Sequence, residues 1–273
     1  MLKNKIKLIN FDYLRTFLIL LVVVHHSVVA YTPFYEISPL IDNKQWLGFN
    51  FIVLFNDSFF MALLFLVSGL FVWNSLKRKG LKIFLRDRLS RLGIPFVIIT
   101  LITYSLNVPA MSGHLWFLWV LLEFNLFLAL LYKFIPRLDK ILTSNKYIIL
   151  KSPLRFCLAL ILISTLAYLP MAIPLGLEER LFFYLVYFLF GVWLGAQGIA
   201  NTIFQKNSTL SKYWSIWLSM GIIIFILRNS FGLLTNNQSI ISLLVYSISS
   251  AIISLGISAV FLKFVKQNIT VID

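Results

Sequence analysis

Residues 11–26 read FDYLRTFLILLVVVHH: Phe11-Asp12-Tyr13-Leu14-Arg15, an apolar run from Phe17 to Val24, then His25-His26. An α-helix turns about 100° and rises about 1.5 Å per residue. Arg15 and His26 are eleven positions apart, nearly three whole turns. They therefore share a helix face and stand roughly 16 Å apart along the axis. Between them lies sequence suited to lipid. Ionisable residues inside such a span cost at least about 2.5–3.5 kcal/mol each on insertion scales, so they mark sites by default. Asp12, three residues before Arg15, is placed to pair with it. His25 is turned about 100° away from His26 and faces a neighbour or lipid.

The rest of the chain repeats the pattern. Of 273 residues, 60% are hydrophobic and 12% charged, against about 45–50% and 25% in an ordinary soluble domain. This excludes a soluble globular domain and a disordered one. A helix needs about 20 apolar residues to cross a bilayer. Eight stretches qualify as candidate spans: 13–32, 50–75, 92–109, 114–134, 155–174, 181–199, 213–233 and 239–262. The expected fold is all-α, a polytopic transmembrane helix bundle forming one domain over 1–273, with no soluble domain. The single cysteine, Cys157, lies in an apolar run and excludes an internal disulfide or a Cys-based metal site.

The net charge of +14 would suggest nucleic acid in a soluble protein. Its distribution says otherwise. With the N-terminus on the cytoplasmic side, segments 3–7, 77–91, 133–155, 206–212 and 263–266 are cytoplasmic and hold twenty of the 24 Lys and Arg residues. Lys44 and Arg180 fall outside, together with Glu36, Asp42, Glu178 and Glu179. Lys and Arg gather on the cytoplasmic side of membrane proteins. The expected location is the cell (inner) membrane, multi-pass, with lipid rather than nucleic acid as its surroundings.

Three groups of residues carry candidate chemistry. In the first helix, Arg15 either snorkels to the membrane edge or holds an anion, and His26 either hydrogen-bonds across helices or acts as a base. A neutral imidazole inside a bundle can take a proton from a hydroxyl. In Phe84-Leu85-Arg86-Asp87-Arg88-Leu89-Ser90-Arg91-Leu92-Gly93-Ile94-Pro95, Arg88 and Arg91 lie three apart on one helix side. Two guanidiniums there either clamp a phosphate or serve as plain topology charge. Lys77-Arg78-Lys79 reads as topology charge. The third group is Gly113-His114-Leu115-Trp116-Phe117-Leu118 with Glu123 beyond it. His114 either orients an acceptor or belongs to an interfacial belt; Glu123, in mid-helix, is expected to pair internally. Asp57, at the start of the second span, either orients an imidazole or caps the helix. Arg228, near the end of the seventh, is expected to snorkel. With three histidines and no clear metal-ligand spacing, a metal site is not expected.

These segments, in this order, resemble the membrane-bound acyltransferase 3 family of O-acyltransferases. Arg15, ten residues, then His26 is similar to that family's arginine–histidine signature. Met61–Phe71, with Ser68-Gly69, is similar to its second span. Phe84–Pro95 is similar to its Arg-x-x-Arg segment, and Phe183–Gly191 to a later aromatic–glycine span. His114-Leu115-Trp116-Phe117-Leu118 is similar to an element of the glucan succinyltransferase-like branch. The resemblance covers about residues 10–195.

The resemblance implies an enzyme that moves an acyl group, of acetyl or succinyl type, from cytosolic acyl-CoA to a hydroxyl of an extracytoplasmic carbohydrate or lipid-linked glycan. It implies His26 and Arg15 as catalytic residues and Arg88 and Arg91 as acyl-CoA-binding. It leaves Asp57, His114 and Glu123 to the acceptor or to orientation. No bound cofactor is implied; acyl-CoA is a co-substrate. The family commonly has about ten spans and a late aromatic segment with a further histidine, so this chain is expected to lack the last spans. The competing expectation is a transporter or flippase for a lipid-linked sugar, which intramembrane Arg and His also suit. No inverted repeat or matched pair of broken helices supports it.

Overall fold

The computed structural model describes residues 9–32, 44–106, 115–144, 148–168, 180–230 and 240–265. Every regular element among them is helical. The helices are α1 (Ile9–Val29), α2 (Leu47–Asp57), α3 (Phe60–Lys79), α4 (Leu81–Arg88), α5 (Ile94–Ser105) and α6 (Trp116–Phe134). They continue with α7 (Leu138–Thr143), α8 (Pro153–Tyr168), α9 (Leu181–Gln197), α10 (Thr209–Lys212), α11 (Trp214–Ser230) and α12 (Ile240–Phe264).

Among the described residues, four segments are long and apolar enough to cross a membrane: α1, α2 with α3, α6 and α12. α8, α9 and α11 are shorter apolar helices on the stretches expected at 155–174, 181–199 and 213–233. The stretch expected at 92–109 holds the twelve-residue α5.

The second expected span is not one continuous helix. α2 ends at Asp57, and α3 starts at Phe60. The Ser58 hydroxyl donates to the Phe55 carbonyl at 2.6 Å, and the Ser58 N–H reaches the Leu54 and Phe55 carbonyls. A serine bonded to its own preceding turn competes with helix continuation. The break leaves Asp57 at a helix terminus.

α3 and α9 form the centre of the bundle. They run parallel, because Gly191 faces Leu66 and Gly195 faces Leu70. A Cβ on Gly69 would collide with the Phe188 carbonyl, and one on Gly191 with the Leu66 carbonyl. Small residues four apart let helix backbones touch where lipid offers no hydrophobic drive to associate. Around this contact Leu66, Leu70, Trp73, Tyr187 and Phe188 are fully buried. α12 is also largely interior and packs on α11, where Gly221 and Gly256 again give close approach.

The outside of the bundle is apolar. Ile19, Leu20 and Val23 of α1, Val97, Ile98 and Leu101 of α5, and Leu154, Leu158 and Leu162 of α8 are all exposed. Surface of this kind is covered by hydrocarbon, with the helices satisfying their own backbone groups. Phe17 lies against Phe261, their ring centroids 5.4 Å apart, and α3 ends in Lys77-Arg78-Lys79. The start of α1, the end of α3 and the end of α12 therefore share one basic end of the bundle. The opposite end carries Asp57, Arg180, Arg228 and Tyr246.

Candidate active site

A pocket of about 660 Å³ opens at the basic end and runs inward between α1, α3 and α6. Its mouth carries Arg15, Arg78, Lys79, Arg88 and Arg91. Further in, Ser68, Asn74 and Ser75 line one wall, and Val22, Leu64, Phe117, Leu118 and Leu121 line the rest.

The mouth is assembled by a sharp turn. Gly80 joins α3 to α4 at φ +74°, a backbone conformation that L side chains rarely adopt. The turn folds α4 back so that the Lys79 ammonium pairs with the Asp87 carboxylate. That hydrogen bond holds the Asp87 carboxyl below its ordinary pKa, so the clasp is charged and closed at neutral pH.

After Arg88 the helix widens into a π turn, Leu89–Gly93, in which the Ile94 N–H reaches back to the Leu89 carbonyl. The cause is next in sequence. Pro95 has no N–H to give, and its ring crowds the carbonyl four residues back, that of Arg91. A π turn absorbs this crowding without breaking the helix. It also changes the register between Arg88 and Arg91 from the α-helical spacing expected from sequence, and both still line the pocket.

Three like charges meet there. The Arg88 guanidinium lies 5.0 Å from the Phe84 ring centroid. Burial lowers its pKa, and the nearby Arg91 and Arg15 lower it further. An arginine remains cationic under such pressure. The Arg15 guanidinium lies over the Phe71 ring, 4.9 Å from its centroid. Asp12 lines the same pocket, and its carboxylate acts favourably on the Arg15 charge without a direct ion-pair contact. The arrangement is a cationic mouth with more positive charge than its own carboxylates neutralise, which suits a polyanion.

Val22 and Val23 mark the α1 wall near the pocket's inner end, and His26 stands one turn beyond Val22 on the same face. The His26 ring donates from Nδ1 to the Val22 carbonyl at 2.8 Å, since a carbonyl can only accept. In the neutral ring that bond makes Nε2 the basic nitrogen. His25 is turned to a neighbour: its ring stacks on Phe60, 5.0 Å between centroids.

Other expected residues fall elsewhere. The Asp57 carboxylate has an arginine as a partner. It accepts a hydrogen bond from Arg180 at 2.7 Å at the end of the bundle opposite the mouth. Arg228 does not snorkel: it is 6% exposed, with its guanidinium 4.8 Å from the Tyr246 ring centroid. Glu123 is half-buried on α6 and forms no ion pair among the described residues. His114 lies outside the described residues. The structure adds Arg78, Lys79, Asn74 and Ser75 to the pocket and Arg180 to Asp57. Arg78 and Lys79 belong to the run that reads as topology charge in the sequence, and both line the pocket. Arg180 has a legible signal in the sequence, as one of two basic residues, with Lys44, in the loops expected outside.

The segments singled out in the sequence converge on α3. The stretch Met61–Phe71 supplies Leu64, Ser68 and Phe71 to the pocket and Gly69 to α9. Phe117 and Leu118 close the inner wall, and Trp116 packs on Tyr184 of α9. Neither the curated proteins nor the solved structures hold a match to the chain. The family model for the acyltransferase domain of the acyltransferase 3 type matches residues 8–267. The chain, a multi-pass helical membrane protein, belongs to the acyltransferase 3 family.

Proposed function

We propose that this membrane acyltransferase takes its acyl group from acyl-CoA at the basic, cytoplasmic end and delivers it to a hydroxyl of an extracytoplasmic carbohydrate or glycolipid. One observation carries the reading: a single pocket joins Arg15, Arg88 and Arg91 at its mouth and runs along α1 toward His26. The phosphates of CoA are polyanionic and stay at the mouth. The pantetheine arm is slender and neutral enough to enter, and it brings the thioester to the inner end.

In this reading His26 Nε2 takes the proton of the acceptor hydroxyl. The oxygen attacks the thioester carbonyl, a C–O bond forms, the C–S bond breaks, and the thiolate leaves with CoA. The proton on the imidazole then passes to the thiolate or to water. Arg15 holds the donor near the mouth, with Phe71 fixing its orientation. The acyl group is short and uncharged. Every cation lining the pocket lies toward the mouth, and the inner wall is Val22, Leu64, Phe117, Leu118 and Leu121. A succinyl carboxylate placed there would be buried unpaired.

The test is transfer of labelled acetyl from acetyl-CoA in membranes holding the wild type or His26→Ala. Label in a polysaccharide or lipid fraction, lost in the variant, supports the reading. Equal transfer by both sinks His26 as the base. No transfer by the wild type, with movement of labelled lipid-linked sugar instead, sinks the acyltransferase mechanism.

A further inference from the structure

The end of the bundle opposite the mouth holds a second charged cluster. Arg180, just before α9, donates from Nη1 to the Asp57 carboxylate at 2.7 Å and to the Tyr246 hydroxyl at 3.1 Å. Its Nε donates to the Tyr168 hydroxyl at 3.2 Å. The Tyr246 hydroxyl in turn donates to the Asp57 backbone carbonyl at 3.1 Å. One carboxylate therefore has one arginine, and its charge is spent.

Arg228 is left over. It reaches the same place from the far end of α11. Its guanidinium lies 4.8 Å from the Tyr246 ring centroid, and that of Arg180 lies 4.6 Å from the same ring. Arg228 is 6% exposed, its Nε is buried without a partner, and no ion pair reaches it among the described residues. Two guanidiniums thus share one aromatic ring and one carboxylate. Among the described residues the two arginines have one carboxylate, that of Asp57, between them, and buried positive charge in excess of its counter-charge is unfavourable. An oxyanion between the two forks would remove that excess, because a guanidinium matches carboxylate and phosphate geometry with paired donors. Access exists, since the side chains of Arg180 and Asp57 are 21% and 28% exposed.

We propose that Arg228 and Arg180 form an oxyanion subsite, taking the phosphate or carboxylate group of the acceptor at the end of the bundle away from the donor pocket. That the oxyanion belongs to an acceptor rests on the function proposed above; that the subsite binds an oxyanion does not.

The test uses the full chain in a phosphate-free maltoside detergent. Arg88→Gln/Arg91→Gln serves as the background, so that the donor mouth does not report. Inorganic phosphate and glucuronate are titrated separately and melting is followed. The subsite predicts a rise of about 5–10 °C near a hundredfold excess over Kd. Adding Arg228→Gln removes the rise, and Arg228→Lys restores part of it. Arg228→Gln also melts higher than its background without anion, because it removes one of two arginines that share the Asp57 carboxylate. A lower melting point with an undiminished anion response overturns the proposal, as does no response in the background. A rise with phosphatidylglycerol but with neither soluble anion overturns the acceptor assignment in favour of a lipid headgroup. Since melting needs no turnover, absence of acyl transfer in the wild type overturns the function proposed above and leaves this readout standing.

Discussion

The His26 imidazole donates from Nδ1 to the Val22 carbonyl at 2.8 Å, one turn back along α1, and Val22 lines the donor pocket while His26 does not. The proposed base is thus fixed in one tautomer and placed past the pocket's inner end. Under the proposed function, loss of the ring is expected to affect proton transfer and not donor binding. His26→Ala is expected to lower the rate of transfer by about 10²–10⁴-fold, the usual range for a positioned acid–base group. The apparent affinity for acyl-CoA stays near that of the wild type. Initial rates at varied acyl-CoA separate the two; a raised KM with an unchanged kcat would contradict the placement.

Arg88 and Arg91 give the reverse pattern. Both line the mouth, so under the proposed function each is expected to contribute binding that is equal in ground and transition states. A hydrogen bond to a charged group is worth about 1.5–3 kcal/mol. Arg88→Ala is expected to raise the acyl-CoA KM by about 10–150-fold with kcat little changed. Arg88→Lys recovers only part, because a point charge does not replace a planar fork. Binding of CoA to the purified protein at two salt concentrations checks this. The wild type loses more affinity in salt than Arg88→Ala does, since it makes one more ionic contact.

Much of this was legible in the sequence, and the gaps have physical causes. The span between Arg15 and His26 could be read because a strict apolar run with ionisable ends has one economical explanation in lipid, and its helical phase follows from spacing alone. Arg88 and Arg91 could be read for the same reason. The π turn between them could not, although Pro95 announces the missing donor that produces it. The polar triplet Asn56-Asp57-Ser58 sits where the second span divides, but the apolar stretches on both sides of it fit one continuous helix equally well, and the Ser58 bonds that break the helix are made only in the fold. Partners from distant helices stayed hidden. Arg180 meets Asp57, and Arg15 lies over Phe71, through packing between elements, which no local pattern encodes.

The contact between α3 and α9 is the joint on which the pocket wall rests. Gly191 faces the Leu66 carbonyl with no room for a Cβ. Overpacking a well-packed interior costs about 1–3 kcal/mol for added methylenes, and here the obstacle is backbone rather than a movable side chain. Gly191→Val is expected to lower the melting temperature of the detergent-solubilised protein and to reduce CoA binding, because Leu64 and Ser68 shift with α3. Val192→Ala, a buried neighbour one residue away, leaves a small cavity and no collision. A Gly191 variant as stable as the wild type would show that the two helices do not touch in this way.

The last prediction concerns which acyl group passes. The pocket's polarity falls along its length, from five cations at the mouth to Val22, Leu64, Phe117, Leu118 and Leu121 at the inner wall. An acetyl thioester leaves only its own carbonyl to be satisfied there. A succinyl thioester adds a carboxylate in the same place, and a buried charge is tolerated only when paired. Acetyl-CoA is therefore expected to be used well ahead of succinyl-CoA, by about a hundredfold or more in kcat/KM, since 2.7 kcal/mol already corresponds to that ratio. Placing a cation at the inner wall tests the cause. Leu121→Arg puts a guanidinium where the extra carboxylate would lie, so it is expected to narrow the ratio by impairing acetyl transfer and improving succinyl transfer. If the two donors are used equally by the wild type, the inner wall does not select the acyl group, and charge selection lies elsewhere on the path to His26.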